Sequence, residues 1–130
     1  MNASVKIIQG WRTKTDGSGS RYPVFENWKI PNTRIYRRNQ NKHIKSTGKY
    51  ESGKSYFNTD LSVQEIDKII LDAVGTGVGE MYRDFSVRET VVLDRIVGKY
   101  IENGKEYDSH TLRIHYSKEG IHAYTVKDED

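Results

Sequence analysis

Ser62-Val63-Gln64-Glu65 opens a run with apolar residues at Val63, Ile66, Ile69, Ile70, Ala73 and Val74. This spacing commits one segment of the chain to a helix. The serine oxygen can accept from the backbone N–H of Glu65 while the Glu65 carboxylate reaches back, a capping box. The apolar positions recur at helical intervals, and Gly75 is a natural stop. From Glu89 onward the pattern changes to β. Residues 90–93 and 95–101 are strand-like, and Asn103-Gly104 is a tight-turn dipeptide. Residues 111–116 alternate, with Leu112, Ile114 and Tyr116 facing one way and Arg113 and His115 the other. Ser117-Lys118-Glu119-Gly120 turns the chain, and residues 121–126 return. The expected architecture is α+β: irregular N-terminal structure and one clear helix packed on an antiparallel β-sheet meander.

At 130 residues the chain is most simply one domain. Residues 36–130 are read as the domain proper and residues 1–35 as an extension packed on it. Asp16-Gly17-Ser18-Gly19-Ser20 is a loop or hairpin tip. Trp11, Tyr22, Phe25 and Trp28 are too many large aromatics for a linker, so this segment is expected to fold back. Pro23 and Pro31 argue against a long helix there. Residues 41–60 read as loop and short strand anchored by Tyr50, Tyr56 and Phe57. Gly75-Thr76-Gly77-Val78-Gly79 follows a helix instead of opening one and lacks the Gly-Lys-Ser/Thr ending of a phosphate loop, so it is read as a connection. Lys127-Asp128-Glu129-Asp130 is read as a solvated tail.

Composition removes several classes of function. With no cysteine there is neither a disulfide framework nor a thiolate zinc site. No apolar run approaches the ~20 residues needed to cross a bilayer, and the first residues lack the apolar segment of a signal peptide. The net charge of +3 hides a division. Residues 1–60 carry twelve Lys/Arg against four Asp/Glu, and residues 61–130 carry nine against fourteen. A basic first half suits a polyanionic partner, although a charge run is also commonly a solvated face.

The residues that carry chemistry fall in two groups. One is Lys42, His43, Lys45, Ser46, Lys54 and Ser55 before the helix; the other is Arg113, His115, Ser117, His122 and Tyr124 in the last hairpin. Two imidazoles and a cation are the minimum for RNA cleavage without a metal or other cofactor. One imidazole takes the 2′-hydroxyl proton, the other (or a tyrosine) protonates the leaving 5′-oxygen, and Lys or Arg stabilises the phosphate. A strand histidine is also commonly a half-exposed polar residue, and His110 is assigned to that class. The hairpin has two readings. A two-residue loop at Lys118-Glu119 places His115 opposite His122 and Arg113 opposite Tyr124. A three-residue loop with Gly120 left-handed slips the register by one and separates the histidines. The chemistry requires two such imidazoles about 4–8 Å apart, spanning a phosphate.

Asn41-Lys42-His43-Ile44-Lys45-Ser46-Thr47, then Tyr50 and Gly53-Lys54-Ser55-Tyr56-Phe57, resembles the opening of the type 50 polymorphic toxin domain. Arg113-Ile114-His115-Tyr116-Ser117-Lys118-Glu119-Gly120-Ile121-His122 is similar to its closing motif, and the resemblance covers about residues 36–126. Such domains are regarded as RNases of the barnase–EndoU–colicin–RelE-like group. They lie at the C-termini of secreted bacterial toxins and of some phage head proteins, and meet a cognate immunity protein in the producing cell. The resemblance implies His43, Ser117 and His122 as active-site positions, with Lys42, Lys54, Ser55 and His115 nearby. It implies an RNA substrate, tRNA among the candidates, and a monomer delivered as part of a larger protein to act in the target cell's cytoplasm. Two rival expectations are a non-catalytic nucleic-acid-binding module and a phage structural or interaction domain.

Overall fold

The computed structural model describes residues 33–82 and 86–129, together with the backbone of three earlier strands, β1 (Ser4–Ile8), β2 (Arg12–Thr15) and β3 (Arg21–Val24). Trp11, Phe25, Trp28 and the Asp16–Ser20 loop lie outside the described residues, and Tyr22 is described only as backbone within β3. A short helix α1 (Arg37–Gln40) runs into two 3₁₀ turns, Asn41–His43 and Lys45–Thr47. There follow β4 (Tyr56–Phe57), helix α2 (Val63–Ala73), β5 (Val78–Tyr82), β6 (Val87–Val92), β7 (Gly98–Glu102), β8 (Lys105–Ser109), β9 (Thr111–Ser117) and β10 (Gly120–Val126). The described strands form an antiparallel sheet in the order β1-β5-β6-β9-β10, a β2-β3 pair, and a smaller antiparallel sheet β4-β7-β8. The fold is α+β, with β7 and β8 leaving the run of neighbouring strands to pair with β4. Among the described residues no helix is long and apolar enough to cross a membrane.

Helix α2 begins as its sequence dictates. Ser62 Oγ accepts from Glu65 N at 3.0 Å, and Glu65 Oε1 accepts from Ser62 N at 3.1 Å. Its buried face, Ile66, Ile70 and Ala73, joins the inner face of the large sheet. Val87 and Val91 of β6, Leu112 and Ile114 of β9, and Ile121 and Ala123 of β10 all point into that core. Because side chains alternate along each strand, Arg88, Thr90, Arg113, His115, His122 and Tyr124 are left on the opposite face.

One buried inner-face residue is charged. Glu89 is fully buried in β6, and its carboxylate accepts from Gly75 N (3.0 Å), Gly77 N (2.7 Å) and the Tyr116 hydroxyl (2.5 Å). The glycine-rich segment after α2 therefore wraps the protein's own carboxylate. A Cβ at Gly77 would overlap the Thr90 carbonyl, so only glycine lets the loop approach β6 this closely. The C-terminal segment is also tied down, contrary to its reading as a solvated tail. Asp128 accepts from His110 N (3.0 Å) and Thr111 Oγ1 (2.8 Å), and its Oδ2 lies 2.6 Å from His110 Nδ1.

The free edge of β10 is covered by the segment that leads into α1. Ile121 N donates to the Arg34 carbonyl at 2.8 Å, and Tyr36 N donates to the Ile121 carbonyl at 2.7 Å. Two residues along β10, the buried side chain of Gln40 takes over. Its Nε2 donates to Ala123 O at 2.8 Å and its Oε1 accepts from Ala123 N at 2.6 Å. An ion pair between Arg37 and Asp67 joins α1 to α2. Replacing Gln40 by alanine strands a buried backbone donor and acceptor, each costing about 1–3 kcal/mol. Gln40→Ala is therefore expected to lower the unfolding free energy by about 2–4 kcal/mol in urea denaturation; a loss under ~0.5 kcal/mol would contradict this account.

Candidate active site

The last hairpin pairs with the two-residue loop. Ser117 faces Gly120, His115 faces His122, and Arg113 faces Tyr124. Turn preference alone favours the other register, with glycine as a loop residue. Here Gly120 already belongs to β10 and answers a different constraint. Its φ is +133°, and a Cβ there would overlap the carbonyl oxygen of Arg34, in the segment covering the β10 edge. Pairing of β6 with β9 extends the outer face by one strand, setting Arg88 opposite His115 and Thr90 opposite Arg113. Two rows thus cross the sheet: Arg88, His115 and His122 in one, Thr90, Arg113 and Tyr124 in the next.

His43 reaches this face over the edge of β10. Gln40 fixes the end of α1 against Ala123, and the 3₁₀ turn Asn41–His43 carries His43 one turn further. His43 is 8% exposed, and its Nδ1 lies 2.9 Å from the Ser55 carbonyl oxygen. A carbonyl can only accept, so Nδ1 carries the hydrogen and the neutral ring presents its Nε2 lone pair on the other side. The His43 ring lies almost parallel to that of His122, centroids 6.4 Å apart, and 5.2 Å from that of Tyr124. His115 lies 4.8 Å from His122 and 5.3 Å from Tyr124, ring to ring. Three imidazoles and a phenol from three segments of the chain share one patch.

Within the patch, His115 Nε2 is 2.9 Å from the Tyr124 hydroxyl, and the Arg113 charge acts on the same phenol. Burial pushes the His115 imidazole down to about 3, helped by the neighbouring His122 and the cations Arg88 and Arg113. Burial likewise takes His122 down to about 4, with His43 and Lys42 adding to it. His43 is lowered by burial against the opposing bond to Ser55. Burial raises the Tyr124 phenol. At neutral pH the patch therefore holds neutral rings inside a rim of cations.

That rim includes Lys42 and Lys54, whose charges act on both His43 and His122. Glu51 lies 3.9 Å from Lys42 and 3.6 Å from Lys54. Ser55 contributes its backbone carbonyl. Ser117 donates to the Gly120 carbonyl at 3.0 Å, at the hairpin turn two residues past His115. Lys45 turns onto tyrosine, its Nζ 3.8 Å from the Tyr56 ring centroid, and Ser46 is exposed on the second 3₁₀ turn. His110 pairs with Asp128 away from the cluster. Among the described residues no three His, Asp or Glu side chains are arranged to hold a metal ion. Arg88 is the residue that the sequence reading missed. Its alternation with Val87, Glu89 and Val91 marks the outward face of a strand, but only the pairing of β6 with β9 sets it beside His115.

A family model described as bacterial toxin 50 matches residues 35–124. No curated protein and no solved structure matches the chain.

The depressed imidazoles make stability depend on pH with a definite sign. Folded values of about 3 for His115 and about 4 for His122 lie below the ordinary ~6.5 of an unfolded histidine. Between pH 6.5 and 4 the unfolded chain binds the extra protons, so stability falls as pH drops through that window and these groups contribute no slope above it. The urea midpoint is expected to decrease from pH 7 to pH 5. His115→Asn should show a shallower decrease, by on the order of 1–2 kcal/mol. Equal slopes in the two proteins would contradict the assignment.

Proposed function

Because this chain belongs to the bacterial toxin 50 family, we propose that it is the toxin domain of a polymorphic toxin that acts as a metal-independent endoribonuclease. The carrying observation is the His43 imidazole, Nδ1 tied to the Ser55 carbonyl, standing 6.4 Å from the His122 ring on a face rimmed by Lys42, Lys54 and Arg113. His43 Nε2 takes the proton from a ribose 2′-hydroxyl. The 2′-oxygen attacks the phosphorus as the bond to the 5′-oxygen breaks, and His122 delivers a proton to that oxygen. The products are a 2′,3′-cyclic phosphate and a free 5′-hydroxyl. The arriving phosphodiester raises the affinity of His122 for its proton by placing negative charge beside it. Lys42, Lys54 and Arg113 hold the phosphate, His115 keeps Tyr124 in place, Ser117 holds the turn, and Lys45 and Ser46 border the path of the flanking RNA. The substrate is RNA, with tRNA a candidate, the site of action is the target cell's cytoplasm, and a cognate immunity protein protects the producer.

The test compares wild type with His43→Ala and His122→Ala, both in cells and as purified protein on total RNA and tRNA in EDTA. Wild type is expected to be toxic and to cleave; each variant should lose about 10²–10⁴ of the rate. Equal harmlessness of all three, with no cleavage by wild type, would sink the proposal. Salt-sensitive RNA binding without cleavage would leave a binding module instead.

The pH profile assigns the acid. The state with His43 proton-free and His122 protonated is most populated in the free protein midway between the two lowered values. The bell in kcat/KM is therefore expected to peak below pH 6.5 and to fall on the alkaline side. A plateau reaching pH 8 would transfer the acid role to Tyr124, whose buried phenol keeps its proton there.

A further inference from the structure

Arg88 stands at the far end of the row that begins with His122. His122 of β10 is paired with His115 of β9, and His115 with Arg88 of β6. His43 approaches His122 from beyond the β10 edge, so the imidazole that serves as base and the Arg88 guanidinium flank the patch from opposite sides. Adjacent strands lie about 4.8 Å apart, so a half-buried arginine on β6 can reach across His115 toward a group seated above His122. The charge of Arg88 acts on His115, His122 and Tyr124 alike.

Its own bonding is incomplete. The Arg88 Nε is buried and has no hydrogen-bond partner among the described residues. No salt bridge joins Arg88 to a carboxylate among the described residues. Glu80 faces it across β5–β6, but the Glu80 carboxylate accepts from the Tyr82 hydroxyl at 3.2 Å. The Arg88 Cζ lies 4.7 Å from the Tyr82 ring centroid. A guanidinium laid on an aromatic ring is oriented without losing its in-plane donors. The result is a held cation with an unspent Nε–H and no carboxylate partner among the described residues, beside three neutral imidazoles, and a tetrahedral oxyanion suits such a cation.

We infer that Arg88 forms a phosphate-binding subsite, donating to the non-bridging oxygens of the phosphodiester that His43 and His122 flank. Tyr82 positions it. This rests on the ribonuclease reading for its role in turnover, but anion binding by the subsite can be measured without any cleavage. Arg88 would contact the reacting phosphate directly, so charge that builds on those oxygens in the transition state meets a preorganised donor.

The probe is inorganic phosphate, titrated at low salt into wild type, Arg88→Gln and Arg88→Lys, with the ring resonances of His43, His115 and His122 followed by NMR. Amide dispersion checks the fold of each variant, and Arg88→Lys keeps the charge if Arg88→Gln does not fold. Wild type is expected to bind phosphate with shifts at His115 and His122. Arg88→Gln should bind at least tenfold more weakly, and Arg88→Lys should fall between, keeping the charge without the planar fork. In RNA cleavage Arg88→Gln should lose about 10²–10³ in kcat. Phosphate binding by Arg88→Gln or, where that variant does not fold, by Arg88→Lys, at wild-type strength overturns the subsite, as does no binding by wild type. A wild type that binds phosphate through Arg88 but cleaves no RNA keeps the subsite and rejects the ribonuclease reading.

Discussion

The outer edge of β10 carries backbone donors and acceptors that the large sheet leaves unpaired, and covering them organises the rest of the molecule. An exposed edge invites further strand pairing. Here the residues around Ile35 pair with Ile121, and the Gln40 side chain then imitates one more backbone partner for Ala123. The strand-like path ends at Tyr36, and Gln40 closes the short helix that follows it. The Asn41–His43 turn follows at once, so an edge repair on one side of Gln40 becomes the placement of an imidazole on the other. The Arg37–Asp67 pair fixes the same short helix to α2. Stability of the edge and geometry of the patch are one problem with one solution.

Electrostatically the two faces of the large sheet are unlike. Among the described residues the inner face carries one charge, Glu89, whose carboxylate is met by two backbone amides and a tyrosine hydroxyl, and Thr125 there spends its hydroxyl on the Lys99 carbonyl. The outer face gathers bases and cations with little acid among them. Neutral imidazoles packed against one another under a cationic rim resist taking up protons, and an anion relieves that resistance. In the ribonuclease proposed above, phosphate binding and proton loading would therefore be a single event.

Much of the scaffold was legible from local pattern. The capping box at Ser62 and the alternation across residues 111–116 are short-range signals, and the observed elements obey them. The separation of His43 from His122 was not, because it depends on Gln40 meeting Ala123 across 83 residues. The hairpin register was undecidable for a related reason. Turn chemistry reads Gly120 as a loop residue, whereas the position is glycine because Arg34 passes too close for a side chain. Arg88 was invisible as a site residue until β6 had a neighbour. Lys45 and Ser46 share the motif of His43, yet a 3₁₀ turn points successive residues in different directions, and Lys45 ends on Tyr56. Local periodicity identified surfaces, and only non-local pairing said which surfaces meet.

The short turn between β9 and β10 has a consequence for how this chain can vary. Side chains alternate sides with each residue, so a one-residue change at the turn that the strand pairing takes up, instead of the loop, exchanges the two faces of the following strand. Such a change would send His122 and Tyr124 toward the core and bring Ile121 and Ala123 into water, while every residue of the motif remained in the sequence. The turn therefore guards a register as well as a length. Drift in its length preserves the site only where the loop absorbs it and His115 stays opposite His122, so a homologue that keeps both histidines in a slipped pairing is the one to suspect of having lost the site.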